Sequence, residues 1–403
     1  MAEPPAKILR LTSQKSLAHR LVLATLTGRP VHLSKIRPDS TSNPGLAPHE
    51  ISFLRLLEAV TNGSHIEISY TGTTLVYKPG LITGSAPGSG ASGGVIRHEL
   101  PAVCARGISY FLIPLCLLSP FSKAPMNVLF TGPGVITSAT QTGDVSADSV
   151  RTAILPLFAH FGIMNNIELK ILRRSNAGRG GQGGAGEVQL IFGHQVRLPI
   201  TIHILNPGKI KRIRGVAYCT GVSSSNNARM IDAARSILNS FTADTYIFSD
   251  VTPAPHSPPV DTSGSGQGRK SGLGFGLSLV AESSNGSLYS ADVASPSAGG
   301  TPPDALGSQC AYQLLETISM GGSVSLLAAP VVLTLMSMGS EDVGRVQLGK
   351  DVAGSEALVD LARDLKAFGA SSWGIREAAQ GSEGDVVVSV VGKGVGNVGR
   401  KIT

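Results

Sequence analysis

One order of segments occurs three times along this 403-residue chain, and that repetition constrains its fold more than any single motif. Three amphipathic stretches, 49–63, 147–162 and 355–369, each end at a glycine. Their apolar positions (Val150, Ile154, Leu157, Phe158 and Phe161; Leu358, Leu361, Leu365 and Phe368) recur at helical spacing. Each therefore reads as a helix with one buried face and a C-terminal glycine cap. Two short strand-like runs follow each helix: HIEISY and TTLVYKP, NIELKIL and EVQLIF, SWGIREA and DVVVSVV. An apolar helix and a strand precede each. The shared order (helix, strand, helix, strand, strand) predicts an internal threefold repeat. The capping glycines Gly63, Gly162 and Gly369 stand 99 and 207 residues apart, so the third unit holds 108 residues that the second lacks. The stretch 189–300 supplies this surplus, with strand-like runs at 212–219, 245–251, 274–282 and 288–293 and a helix at 226–241. The expected fold is α/β (α+β), with repeats one and two over 1–188, an inserted α/β domain over 189–300 and the third repeat over 301–403.

At 42% hydrophobic and 15% charged residues, the chain has material for a large core. Its 49 Gly and 24 Pro include clusters at 80–94, 176–186, 252–272 and 283–307, which read as surface loops, with 256–270 the stretch expected to be disordered. Aromatics are 5% with one Trp, Trp373, so base stacking is not the expected binding mode. Cys104, Cys116, Cys219 and Cys310 form no CxxC pair, which suggests neither a zinc site nor a disulfide framework. The start, MAEPPAKILR, lacks an apolar signal core, and the longest apolar run, 326–336, is short and contains Pro330; neither secretion nor a membrane span is expected.

Net charge is +7, and the stretch 165–215 alone carries nine Lys or Arg against two Glu. Such a focused excess favours a polyanionic partner. Lys209-Ile-Lys211-Arg212-Ile-Arg214 reads either as a charge-protected edge strand or as a phosphate-contacting one, and Arg173, Arg174 and Arg179 flank a glycine-rich hairpin just before it. Gly178-Arg-Gly-Gly-Gln-Gly183 has GxGxxG spacing but precedes a strand, not the helix a dinucleotide site requires, and no GxxxxGK[ST] occurs. Arg363-Asp364-Leu-Lys366 reads as the polar side of the last repeat helix, with Asp360 and Arg363 as a surface pair; a nuclease there would need a positioned base or metal.

The strings NPGL at 43–46, EISFLRLLEAVTNGSHIEISYTGTTLVYKPG, RGISYFL with PFSK, the Gly-rich turn before Glu187, KRIRGVAY, GFGLSLVAES and MGSEDVGR resemble RNA 3′-terminal phosphate cyclase-like proteins, the nucleolar branch of the cyclase superfamily. The resemblance runs from about Lys7 to the C-terminus. It implies three repeats of the initiation-factor-three C-terminal type, with a small α/β domain inserted in the third. True cyclases adenylylate a histidine just before the apolar, proline-containing helix of the third repeat. The matching stretch here, 321–330, has no His, and the last histidine of the chain is His256. Gly, Ser or Val cannot replace that nucleophile, so adenylylation is not expected. Where cyclases carry an acidic, glycine-rich turn near the N-terminus, this chain has Thr12-Ser-Gln-Lys15.

The resemblance leaves an anion-binding groove, with Arg37 before the NPGL turn and Arg20, Arg106 and Lys123 as neighbours. It implies a non-catalytic assembly factor of the small-subunit processome, nuclear and nucleolar, required for early pre-rRNA processing and 40S subunit biogenesis. The implied partners are a large nucleolar GTPase of the Bms family, pre-ribosomal RNA and the U-three small nucleolar RNP, with no cofactor or metal. The alternative it carries is an endoribonuclease acting through Arg363, Asp364 and Lys366.

Overall fold

The computed structural model describes residues 8–85, 94–164, 166–181, 183–193, 197–255, 270–379 and 384–396. Three four-stranded sheets share one strand order, first-second-fourth-third within each unit: Leu9–Thr12, Val31–Ser34, Leu75–Lys78, His65–Ile68; then Ile96–Glu99, Met126–Thr131, Glu187–Phe192, Ile167–Arg173; then His203–Ile204, Val343–Leu348, Val386–Val391, Gly374–Glu377. In each, the first two strands are parallel and the other pairs antiparallel. Because parallel neighbours need a crossover, a helix joins the first strand to the second: Leu17–Thr27, Ser109–Leu118 and, in the third unit, Ala329–Met338. These helices are apolar nearly all round since they lie inside one core shared by the three repeats, with Leu21, Phe111, Leu115, Leu333 and Leu335 wholly buried. The leading strand of each unit is an addition to the order read from the sequence.

The repeat helices follow local chemistry. Glu356–Ala367 ends in Gly369 at φ 83, and the second repeat's helix ends in Gly162 at φ 80, left-handed positions that glycine adopts without strain. The first helix, Pro48–Val60, stops at an extended Thr61, and Gly63 lies in the following turn, so it is not the expected cap. The second is not a regular helix: a π-turn at Val150–Ile154 runs into a 3-10 segment at Leu155–Phe161, because Pro156 has no N–H to donate back along the helix.

The inserted unit has its own sheet, in the order Thr245–Thr252, Ile210–Thr220, Gly274–Ser283, Leu288–Ala294, and its own core of Ile213, Met230, Leu277, Cys310 and Leu314 under helices Ser225–Leu238 and Pro303–Ser319. Strand pairing moves its edges from 189 and 300. Glu187–Phe192 belongs to the second repeat's sheet, His203–Ile204 pairs with the third's, and Pro303–Ser319 packs on the insert's core. The insert therefore interrupts the third repeat between its first strand and its first helix. Ile210–Thr220 is central, between Thr245–Thr252 and Gly274–Ser283, not an edge strand. The expected disordered stretch 256–270 lies almost wholly outside the described residues.

Candidate functional site

The repeat helices converge on a cleft of about 420 Å³ lined by Gln14, His19, His49, Glu50, Arg106, Tyr110, Asp144, Leu327, Pro330 and Asp364. Three of the four cations expected in a groove are at or beside it, and each is held by an acid. Arg20, on the first repeat's helix, donates from Nε to both carboxylate oxygens of Asp364 (2.9 and 3.1 Å) and from Nη1 to the carbonyls of Thr12 and Ser13. Arg37 forks onto Glu50, whose carboxylate also accepts the Ala47 N–H at 2.7 Å, and donates to the Gly45 carbonyl. Arg106 makes two bonds to Asp144 (2.5 and 2.7 Å) and lies 4.4 Å over the Tyr110 ring. An incoming anion must compete with these carboxylates. Lys123 is exposed, does not line the cleft and has no ion pair among the described residues.

The stretch resembling the cyclases' histidine segment presents Leu327 and Pro330 to the cleft. His19 and His49, also in it, escaped the sequence reading. Burial pushes His19 down to about 4 and lowers His49; His19 Nε2 is 3.3 Å from Thr334 Oγ1, and His49 packs edge-on to Tyr110 at 5.1 Å. Burial also raises the Tyr110 phenol. The turn at Thr12-Ser-Gln-Lys15 keeps left-handed backbone at Ser13 (φ 73) and Ser16 (φ 54) without glycine.

The Arg363-Asp364-x-Lys366 set does not share one side of its helix. Arg363 is 75% exposed and pairs with Asp360 at 3.4 Å, and Lys366 is exposed, but Asp364 is only 5% exposed and faces inward to Arg20. Position 364 is three residues beyond the buried Leu361, so helical geometry puts it on the apolar face. Among the described residues no group of three or more His, Cys, Asp and Glu is arranged to hold a metal ion.

The basic stretch 165–215 is largely neutralised, mostly by acids lying outside it. Lys170 pairs with Glu168, Arg173 with Glu187, Arg212 with Glu282 and Arg214 with Asp244. Arg174 is 5% exposed; it bonds Asp148 (2.5 and 3.1 Å) and Asp250 (2.5 Å) and lies 5.0 Å over Tyr218, clamping the second repeat to the insert. Lys209 and Lys211 are exposed and make no ion pair among the described residues. The Arg179 side chain lies outside the described residues. The expected contiguous basic face is thus reduced to Lys209, Lys211, the exposed Arg197 and half-exposed guanidinium groups.

Residues 205–319 match a family model described as the insert domain of RNA 3′-terminal phosphate cyclase (RTC). Over nearly its full length the chain is 41% identical to the human RNA 3′-terminal phosphate cyclase-like protein, covering 96% of each chain. It is 38% identical to the rRNA processing protein rcl1 of Schizosaccharomyces pombe (98% of this chain, 99% of the relative) and 34% identical to the rRNA processing protein RCL1 of Saccharomyces cerevisiae (100% of both).

Proposed function

The chain belongs to the RNA 3′-terminal phosphate cyclase-like family, and from that premise we propose that it is an rRNA processing factor that works by assembly and not by cyclase chemistry. The reading places it in the nucleolus, in the small-subunit processome, acting in early pre-rRNA processing and 40S subunit biogenesis. There it docks on a large GTPase of the Bms family, on pre-ribosomal RNA and on the U-three small nucleolar RNP. The observation that carries the non-catalytic part is the third-repeat segment: it brings Leu327 and Pro330 to the cleft, and neither side chain has a lone pair to attack phosphorus. The neutralised arginines support the same reading, since a phosphate would have to displace Asp364, Glu50 or Asp144. Asp364, the one carboxylate of the alternative nuclease set, is already engaged by Arg20. Affinity purification of the tagged protein with RNA cross-linking tests the proposal: pre-ribosomal RNA and the GTPase should co-purify, and recovery of neither would refute it.

A further inference from the structure

The inserted sheet carries both of its helices on one face, and the second repeat covers only one end of the other. At that end Arg174 reaches Asp250, and Ser149 Oγ lies 3.2 Å from Ser278 Oγ. Toward the start of the edge strand, before Asp250, that face is left open. There the strand Thr245–Thr252, which ends the sheet, carries Tyr246 and Phe248, 57% and 54% exposed, with ring centroids 4.6 Å apart and planes at 76°. Residues two apart on a strand share a face, and the parallel register sets Arg214 beside Tyr246 and Val216 beside Phe248 on that face. A cavity of about 400 Å³ runs beneath Phe248 between sheet and repeat, with Arg151, Arg174 and Arg214 against Asp148 and Asp250 in its wall.

Two large rings left in water on an edge strand, paired on one side only, are an aggregation hazard that folded chains ordinarily suppress, so they point to an occupant. Charge selects its class. In the cavity wall Arg151 and Arg174 meet Asp148 and Asp250, and Arg214 is held by Asp244, so the free positive charge stands beyond it on the neighbouring strand, at Lys209 and Lys211, neither in an ion pair among the described residues. Exposed rings on an edge strand whose neighbour carries uncompensated cations further along supply the recognition chemistry of unpaired bases on a phosphate backbone.

We propose that the open end of the inserted sheet binds single-stranded RNA, with unpaired bases stacking on Tyr246 and Phe248 and phosphates meeting Lys209 and Lys211. The choice of RNA rests on the reading of the chain as an rRNA processing factor. Recognition here depends on stacking more than on net charge, the reverse of what the basic composition of this stretch implies.

The test is fluorescence anisotropy of the full chain with labelled oligo(U) and oligo(A) of about 12 nucleotides and with a duplex of the same length. Tyr246→Ala with Phe248→Ala should weaken single-strand binding at least tenfold, Tyr246→Phe should restore it, and the duplex should compete poorly. Lys209→Ala with Lys211→Ala should lower the log–log salt slope by up to about 1.4. Tyr246→Trp keeps a stacking ring, and its emission should be quenched by the oligonucleotide, a readout independent of how the alanine variant folds. Wild-type affinity in the double alanine variant, an unquenched Trp at saturation, equal competition by duplex, no RNA binding, or loss of a protein partner with RNA affinity intact would each overturn the proposal. If pre-rRNA processing still fails on depletion of the protein, the processing role survives that result. If depletion leaves pre-rRNA unchanged, the processing role falls whatever the oligonucleotides do.

Discussion

Replacing Asp364 by Ala separates a structural carboxylate from a catalytic one. The Arg20–Asp364 pair joins the first repeat's helix to the third's, with side chains 13% and 7% exposed, and the arginine donates to both oxygens. Removing one partner of so buried a pair costs about 3–5 kcal/mol, because the other charge is left without compensation. Asp364→Ala belongs near 3 kcal/mol, since Arg20 keeps the carbonyls of Thr12 and Ser13. Arg20→Ala belongs near 5 kcal/mol on the same scale, since it strands the carboxylate and both carbonyls. Arg20→Met with Asp364→Leu should recover most of the loss, as apolar replacements of buried pairs do. Arg363→Ala, which breaks only the exposed contact with Asp360, should change stability by no more than about 0.5 kcal/mol. Urea unfolding followed by circular dichroism measures all four. An Asp364→Ala protein that unfolds like the wild type but no longer cleaves a defined RNA site would refute the structural assignment and favour the nuclease.

Arg174→Ala should leave the buried Asp148 with only the half-exposed Arg151, cost about 3 kcal/mol and speed limited proteolysis between 204 and 210, with Arg174→Lys no rescue because an ammonium cannot reproduce the fork; an unchanged digest would contradict the clamp. His98, buried with Ser52 Oγ 2.9 Å from Nε2, is pushed down to about 4 by burial first and the Arg55 charge second. Its stabilisation is therefore complete above pH 6.5 and falls by about 3 kcal/mol as the pH drops toward 4; His98→Phe should flatten that part of the urea-unfolding pH profile, and equal slopes would refute it. Incubation with labelled ATP should give no covalent adenylate and no cyclised RNA 3′-phosphate, and an acid-labile phosphoramidate would be the contrary result.

The repeat was legible because its signals are local: helical spacing, and glycines at 162 and 369 that the backbone uses at positive φ. Gly63 misled because a residue type at the right offset says nothing about the backbone before it; a two-residue strand, Thr61–Asn62, intervenes. The leading strands were missed because they are four, four and two residues long, too short for a period to stand out. At the site, counting charge in a window hid the partners. Arg20 finds its acid 344 residues away, Arg174 reaches Asp250 across 76, and Arg212 pairs across 70. Two features could have been read. Asp364 follows Leu361 by three residues on a helix, and Tyr246 and Phe248 alternate with Thr245 and Ile247, putting rings on the polar face of a strand.

The proposed role in rRNA processing through binding is tested by depleting the protein from its own cells and following pre-rRNA by Northern blotting. Depletion should cause loss of mature small-subunit rRNA and accumulation of its uncut precursors, with large-subunit rRNA maintained; an unchanged precursor pattern after complete depletion would refute that role.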